Sequence, residues 1–204
     1  MLIDLKKAVR KYGMQIRGVL HCGAHQGQEY MTYKVLGIRH IVFIEPCANA
    51  FNALVASFEE CEDVKLFNFA CGAEEGTATM YTETANTGMS NSLLKPAKHL
   101  EQYPSIQFTG TENVEVKTLD SLDFDKRKYN MLVMDVQGAE HLVLQGATET
   151  LKHIDYVYCE VNRDEVYEGC AKVWDLDVIL KDFTRVETSW QGGTWGDSIY
   201  IKNK

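Results

Sequence analysis

Residues 18–45 read GVLHCGAHQGQEYMTYKVLGIRHIVFIE, and the fold follows from their order. Residues 18–22 are a short apolar run, the length of a strand buried on both faces. A turn carrying Gly23 and Gly27 comes next, then a helical stretch ended by Gly37. Residues 40–45, HIVFIE, form a second strand. Further along, 49–60 is helical, with Phe51, Leu54, Val55 and Phe58 on one face, and 64–71 reads as a third strand. Strand and helix alternating at this spacing specify a parallel sheet covered by helices.

The same pattern returns after the middle of the chain. Residues 129–135 predict a strand, 138–151 a helix, 156–161 a strand and 171–183 a helix. Two closing strands, 185–188 and 198–201, flank a Gly/Trp-rich turn over 190–195, and so short a connection makes them antiparallel. Before the first strand, 3–12 is helical and stopped by Gly13. Residues 77–81 suggest an edge strand and 114–119 another. Between them, 82–113 has few apolar residues and many Thr, Ser and Asn, the composition of a long functional loop. No repeat or linker divides the chain, so residues 1–204 are expected to form one domain with 82–113 as an insertion.

The 204 residues are 45% hydrophobic and 25% charged, which excludes a wholly disordered chain. The formal charge of −8 disfavours a nucleic-acid partner, which rewards a positive surface. No run suits a membrane span, and the charged N-terminus is not a secretory signal. The six cysteines form no C-x-x-C, so they read as reduced thiols of a cytoplasmic protein without a structural zinc site.

Three strand ends carry the chemistry. Gly23 and Gly27 let backbone pass close to a ligand after the first strand, although the segment lacks the middle glycine of a nicotinamide fingerprint. Glu45 closes the second strand 22 residues after Gly23, where an acid can accept from both hydroxyls of a ribose, and Pro46 turns the chain away. Asp135 closes the strand of MLVMDVQGAE and points into the same crevice.

These motifs, with NFACGAEEG, VKTLDSL, YCEV and GDSIYI, resemble the FkbM-type methyltransferases over roughly residues 19–201. The resemblance implies a class I, S-adenosylmethionine-dependent O-methyltransferase: a Rossmann-like α/β domain with a mostly parallel seven-stranded sheet. Its strand order would be 3-2-1-4-5-7-6, with the last strand antiparallel and helices on both faces. It places Gly23, Ala24 and Gly27 along the methionine part of the cofactor, Glu45 and Pro46 at the ribose, and Ala70 and Cys71 near the adenine. Asp135 would lie beside the sulfonium, and Glu140 would match a second family acid. His21, His25 and Gln137 stand where the family commonly has an acid, Asn and Glu. The implied acceptor is a hydroxyl of a small molecule, foremost a sugar or glycan, with a separate glycosyltransferase as a partner in the same modification.

An acceptor hydroxyl needs help to lose its proton. Asp135, Glu160 and His141 are the candidate bases, His141 reading equally well as a packing histidine. Alternatively Asp135, Glu160 and Asn162 would share Mg2+ or another divalent cation. Ser90, Asn91 and Ser92 in the lid, together with Gln137, Glu140 and Trp195, would contact the acceptor. The lid is expected to be dispensable for cofactor binding and needed for transfer. A second reading is an RNA ribose 2'-O-methyltransferase using Lys11, Asp135, Lys172 and Glu187. A third is a binding module that keeps the fold without turnover. An NAD-dependent oxidoreductase comes last. The sequence sets no oligomeric state.

Overall fold

The computed structural model describes residues 1–204. A helix, α1 (Leu5–Tyr12), precedes the sheet, with Asp4 accepting from the Lys6 and Lys7 amides at its start and Gly13 left-handed at its end. Then come β1 (Gly18–Cys22), α2 (Tyr30–Val35), β2 (His40–Ile44), α3 (Ala48–Phe58) and β3 (Val64–Phe67). A smaller group follows: β4 (Ala70–Cys71), β5 (Gly76–Glu83), α4 (His99–Gln102) and β6 (Phe108–Lys117). The chain closes with β7 (Met131–Met134), α5 (Glu140–Gln145), β8 (Tyr156–Asn162), α6 (Val173–Ile179), β9 (Phe183–Gln191) and β10 (Trp195–Lys202).

The main sheet has seven strands in the order β3-β2-β1-β7-β8-β10-β9, the expected order. The first five are mutually parallel, and β10 runs antiparallel to both β8 and β9. Side chains alternate between its faces, as the pleat requires. Leu20, Cys22, Val42, Ile44, Leu132 and Met134 pack with Val143 and Leu144 of α5 and Leu176 of α6. Val19, Ile41, Phe43, Met131 and Val133 pack with Leu5 of α1, Tyr33 of α2 and Leu54 of α3. Burial of both faces is why β1 and β7 read as continuous apolar runs. No helix is long and apolar enough to cross a membrane.

Three elements depart from the sequence reading. The strand expected over 64–71 is two strands in different sheets, because β4 leaves the main sheet to pair with β6. The two ends of the supposed loop over 82–113 are strand: β5 and β6 form an antiparallel ladder running out to Glu83 and Phe108. The outer half of β6 is mostly solvent-exposed, so it carries none of the apolar alternation that betrays a strand. The excursion is therefore 84–107. The helix expected over 138–151 stops after Gln145, where Gly146 packs so closely that a Cβ would come 2.0 Å from the Gly72 carbonyl oxygen.

Candidate active site

The turn after β1 is built by contact between strand ends. Gly23 has φ +76°, and a Cβ there would lie 1.9 Å from the Asp135 carbonyl oxygen, so only glycine fits. The Gly23 and Ala24 amides donate to the Ile44 carbonyl, and the Asp135 amide donates to the Cys22 carbonyl. Glu45 ties the turns together, accepting from the His25 amide (2.8 Å) through Oε2 and from the Cys47 amide (2.9 Å) through Oε1. Burial raises its pKa, and those two amides oppose the rise. Each oxygen keeps a second lone pair.

Above these strand ends lies a cleft of about 990 Å³, counted with the solvent at its mouth. Its lining includes the carboxylates Glu45 and Asp135 and the apolar side chains Phe69, Met80 and Leu93. A second cavity of about 920 Å³ adjoins it. Asp135 and Gln137 line both.

Gln137 organises the carboxylates between the two spaces. Its Nε2 donates to Asp135 Oδ1 (2.7 Å) and to Glu160 Oε2 (2.9 Å), while its Oε1 accepts from the Tyr167 hydroxyl (2.8 Å). Its backbone is left-handed at φ 53°, and the Ser92 hydroxyl holds its carbonyl at 2.7 Å. Asp135 is solvent-exposed where it lines the two spaces. The surrounding protein, and after it the charge of Asp197, push its pKa up to about 6. Glu160 is raised well above the carboxylate range, by burial first and by Asp135 second. Burial thus disfavours charge on both carboxyls. Asp197 itself accepts from the Tyr158 hydroxyl and the Leu2 amide.

Comparison with known proteins adds the decisive observation. The Methyltransferase FkbM domain family model matches residues 21–187. The chain belongs to the FkbM methyltransferase family. The 2-O-methyltransferase NoeI of Sinorhizobium fredii is 26% identical over 194 residues, covering 91% of this chain and 79% of that protein. A SAM-dependent methyltransferase from Aquifex aeolicus has a similar fold, with TM-score 0.51 at 12% identity, covering 99% of this chain and 91% of that one. So does the magnesium protoporphyrin IX methyltransferase of Synechocystis with bound SAM, with TM-score 0.53 at 8% identity over 98% of this chain and 76% of that one. The chain is an S-adenosylmethionine-dependent methyltransferase domain.

The FkbM domain brings most of the expected residues together. His21, Gly23, Ala24, His25, Glu45, Pro46, Ala70, Cys71 and Asp135 line the first cleft. Gly27 does not: its Cβ position faces the Phe58 ring at 2.5 Å, so it packs the turn against α3. Among the acceptor residues, Ser90, Gln137 and Trp195 line the second cavity, and Asn91 faces the first cleft instead. Ser92 is fully buried and supports Gln137 rather than touching either space. Glu140 is likewise buried; it accepts from the Val136 and Gly138 amides and shapes the turn. Glu160 lines the second cavity. His141, one residue past Glu140 on α5, lines neither space.

The first cleft fits the cofactor. It contains no lysine or arginine, and Glu29, Glu45 and Asp135 surround it with negative charge. That suits a sulfonium cation and opposes the pyrophosphate of a nicotinamide cofactor. A divalent cation does not fit the residues present. The Gln137 amide nitrogen already lies between Asp135 and Glu160. Asn162 is buried outside both spaces, its side-chain amide without a partner. No three His, Cys, Asp or Glu residues are grouped as metal ligands.

Sequence reasoning missed His99, Tyr103 and Tyr167, which line the second cavity from the excursion and the loop after β8. Nothing in their spacing marks them. Asp197 was legible only as part of the GDSIYI motif.

Proposed function

We propose that this domain transfers a methyl group to a hydroxyl of a small acceptor, foremost a sugar or glycan. The observation that carries the reading is a shared lining: Asp135 lines both the cofactor cleft and a second cavity. S-adenosylmethionine, when bound, supplies a methyl group on a cationic sulfur. Glu45 receives the ribose hydroxyls on its free lone pairs. Asp135 would take the proton of the acceptor hydroxyl, whose oxygen would receive the methyl as the methyl–sulfur bond breaks and the sulfur becomes a neutral thioether. With a pKa near 6 it is charged, yet basic enough to take that proton, at neutral pH. Gln137 fixes its carboxylate. The 2-O-methyltransferase named above supports oxygen as the accepting atom.

The RNA reading gains nothing from the geometry. Lys11 and Glu187 pair with each other at 2.9 Å on the exterior, and Lys172 donates to the Cys170 carbonyl. None of the three lines a cavity with Asp135. The test is calorimetric titration with S-adenosylmethionine and S-adenosylhomocysteine, followed by transfer of labelled methyl to a panel of sugars and to RNA. Micromolar cofactor binding with label on a sugar is expected. Label on RNA alone would overturn the acceptor, and absent cofactor binding would leave a module without turnover.

A further inference from the structure

Tyr167 is fully buried in the loop after β8, and its surroundings tie two remote segments together. Backbone bonds lace that loop to the excursion between β5 and β6. The Ala97 and His99 amides donate to the Val166 carbonyl, and the Glu168 amide donates to the Lys95 carbonyl. The Tyr167 ring packs on the turn after β7, where Gly138 leaves it room: a Cβ there would come 3.1 Å from the ring.

The ring hydroxyl thereby meets Gln137. It donates to Gln137 Oε1 at 2.8 Å, and the Ser90 carbonyl is a second, longer acceptor at 3.1 Å. Burial keeps the proton on that oxygen, since it raises the Tyr167 pKa well above the ordinary phenol range. A glutamine amide is nearly symmetric in shape, so its partners decide which way it points. Both protons of Gln137 Nε2 are engaged, one by Asp135 Oδ1 and one by Glu160 Oε2. Turned over, the amide would set an oxygen against Asp135, which accepts only when ionised.

Resting on the methyltransferase reading above, we propose that Tyr167 is a positioning residue for the transfer: its hydroxyl holds Gln137 in the orientation that presents an N–H to Asp135, and so keeps that carboxylate in place. The excursion reaches the base through this contact and through the Ser92 hydroxyl on the Gln137 carbonyl. Without the Tyr167 hydroxyl, Gln137 is free to turn away. An N–H donated to a carboxylate favours its charged form, so Asp135 should then hold its proton to higher pH. Its other charged neighbours stay as they are: Asp197 of β10, Glu140 of α5, Glu29 before α2, His25 in the turn after β1 and the Met1 amino group. Glu160 of β8 loses the same donor but already favours its neutral form. His21 of β1, Tyr33 of α2 and Tyr158 of β8 are uncharged near pH 6.

The test follows the Asp135 carboxyl carbon by nuclear magnetic resonance against pH, in the protein alone, with Asp135→Asn supplying the assignment. Wild type should titrate at about 6. Tyr167→Phe should titrate higher, as should Gln137→Leu, and Y167F should add nothing in the Q137L background. Equal midpoints in wild type and Y167F, or a Y167F shift that persists in full beside Q137L, overturns the proposal. Lost packing alone would lower the melting temperature and leave the midpoint where it was. Wild type offers a check that needs no variant. Its Gln137 side-chain N–H protons should exchange with water about tenfold or more slower than an exposed glutamine's, and equal exchange overturns the proposal. With an acceptor found among the sugars, kcat of Y167F at pH 7 should be about fivefold lower, the loss of one ordinary hydrogen bond, with KM for S-adenosylmethionine unchanged. An unaltered kcat overturns the proposal. Failure to bind S-adenosylmethionine would strike the methyltransferase reading instead, and the carboxyl titration, which uses no cofactor, is read apart from it.

Discussion

At the scale of single residues, Asp135 and Glu45 divide the chemistry between them. Asp135→Asn keeps the shape but removes the base, so kcat should fall about 100-fold or more, within the usual range for general-base catalysis. In the wild-type domain kcat should rise with pH through about 6 and then level, because the carboxylate must be ionised to accept a proton. A variant within threefold of wild type, or a profile flat from pH 5 to 8, would sink this assignment. Glu45→Gln keeps one acceptor but turns an amide N–H toward a backbone N–H. Cofactor affinity by calorimetry should drop by about tenfold or more, since hydrogen bonds to a charged group are the stronger kind.

At the scale of elements, the excursion between β5 and β6 belongs to both cavities. Met89, Asn91 and Leu93 line the cofactor cleft, while Asn86, Ser90 and His99 line the second cavity. Deleting 89–98 should therefore weaken cofactor binding as well as transfer, which revises the expectation of a lid concerned with the acceptor alone. The excursion is pinned at its tip. His25 Nδ1 accepts from the Gln28 side chain, and its Nε2 donates to the Thr87 carbonyl at 2.9 Å. His25→Ala removes that tie. Amide hydrogen exchange over 86–91 should speed up by severalfold, with β1 and β7 unchanged. Unaltered exchange would mean that the Glu83 carboxylate, which accepts from the Asn86 and Ser90 amides, holds the excursion alone.

At the scale of the whole molecule, buried titratable groups set how stability varies with pH. His21 is buried beside Tyr33, and its pKa falls to about 4. It binds a proton less readily folded than unfolded, so it costs stability as pH drops from about 6.5 toward 4. Glu140 behaves oppositely. Burial raises it to about 7, so folding loses stability as pH rises from about 4.5 toward 7. Glu45, Asp135 and Glu160 are raised too, while His99 and His141 are lowered with His21, so four raised acids face three lowered histidines. The melting temperature should decline between pH 5 and 8. Glu140→Gln should flatten that decline, gaining on wild type most at pH 8. An equal effect of the substitution at both pH values would show that Glu140 does not titrate in this window.

The sequence by itself determined the main sheet and the three strand ends. An apolar run buried on both faces, a glycine at a turn with no room for a Cβ and an acid at a strand terminus are local demands, visible in residues 18–45 and at Asp135. It also held the family motifs, which the match over residues 21–187 bears out. Only the tertiary structure decided the second cavity. His99, Tyr167 and Trp195 come from segments far apart in the chain and meet only after the β5–β6 ladder and the β9–β10 hairpin are in place. It also decided the parts played by Gln137, Ser92 and Glu140. Whether a polar side chain faces a ligand or holds a neighbouring turn depends on which donors surround it, and those donors are set by packing rather than by spacing.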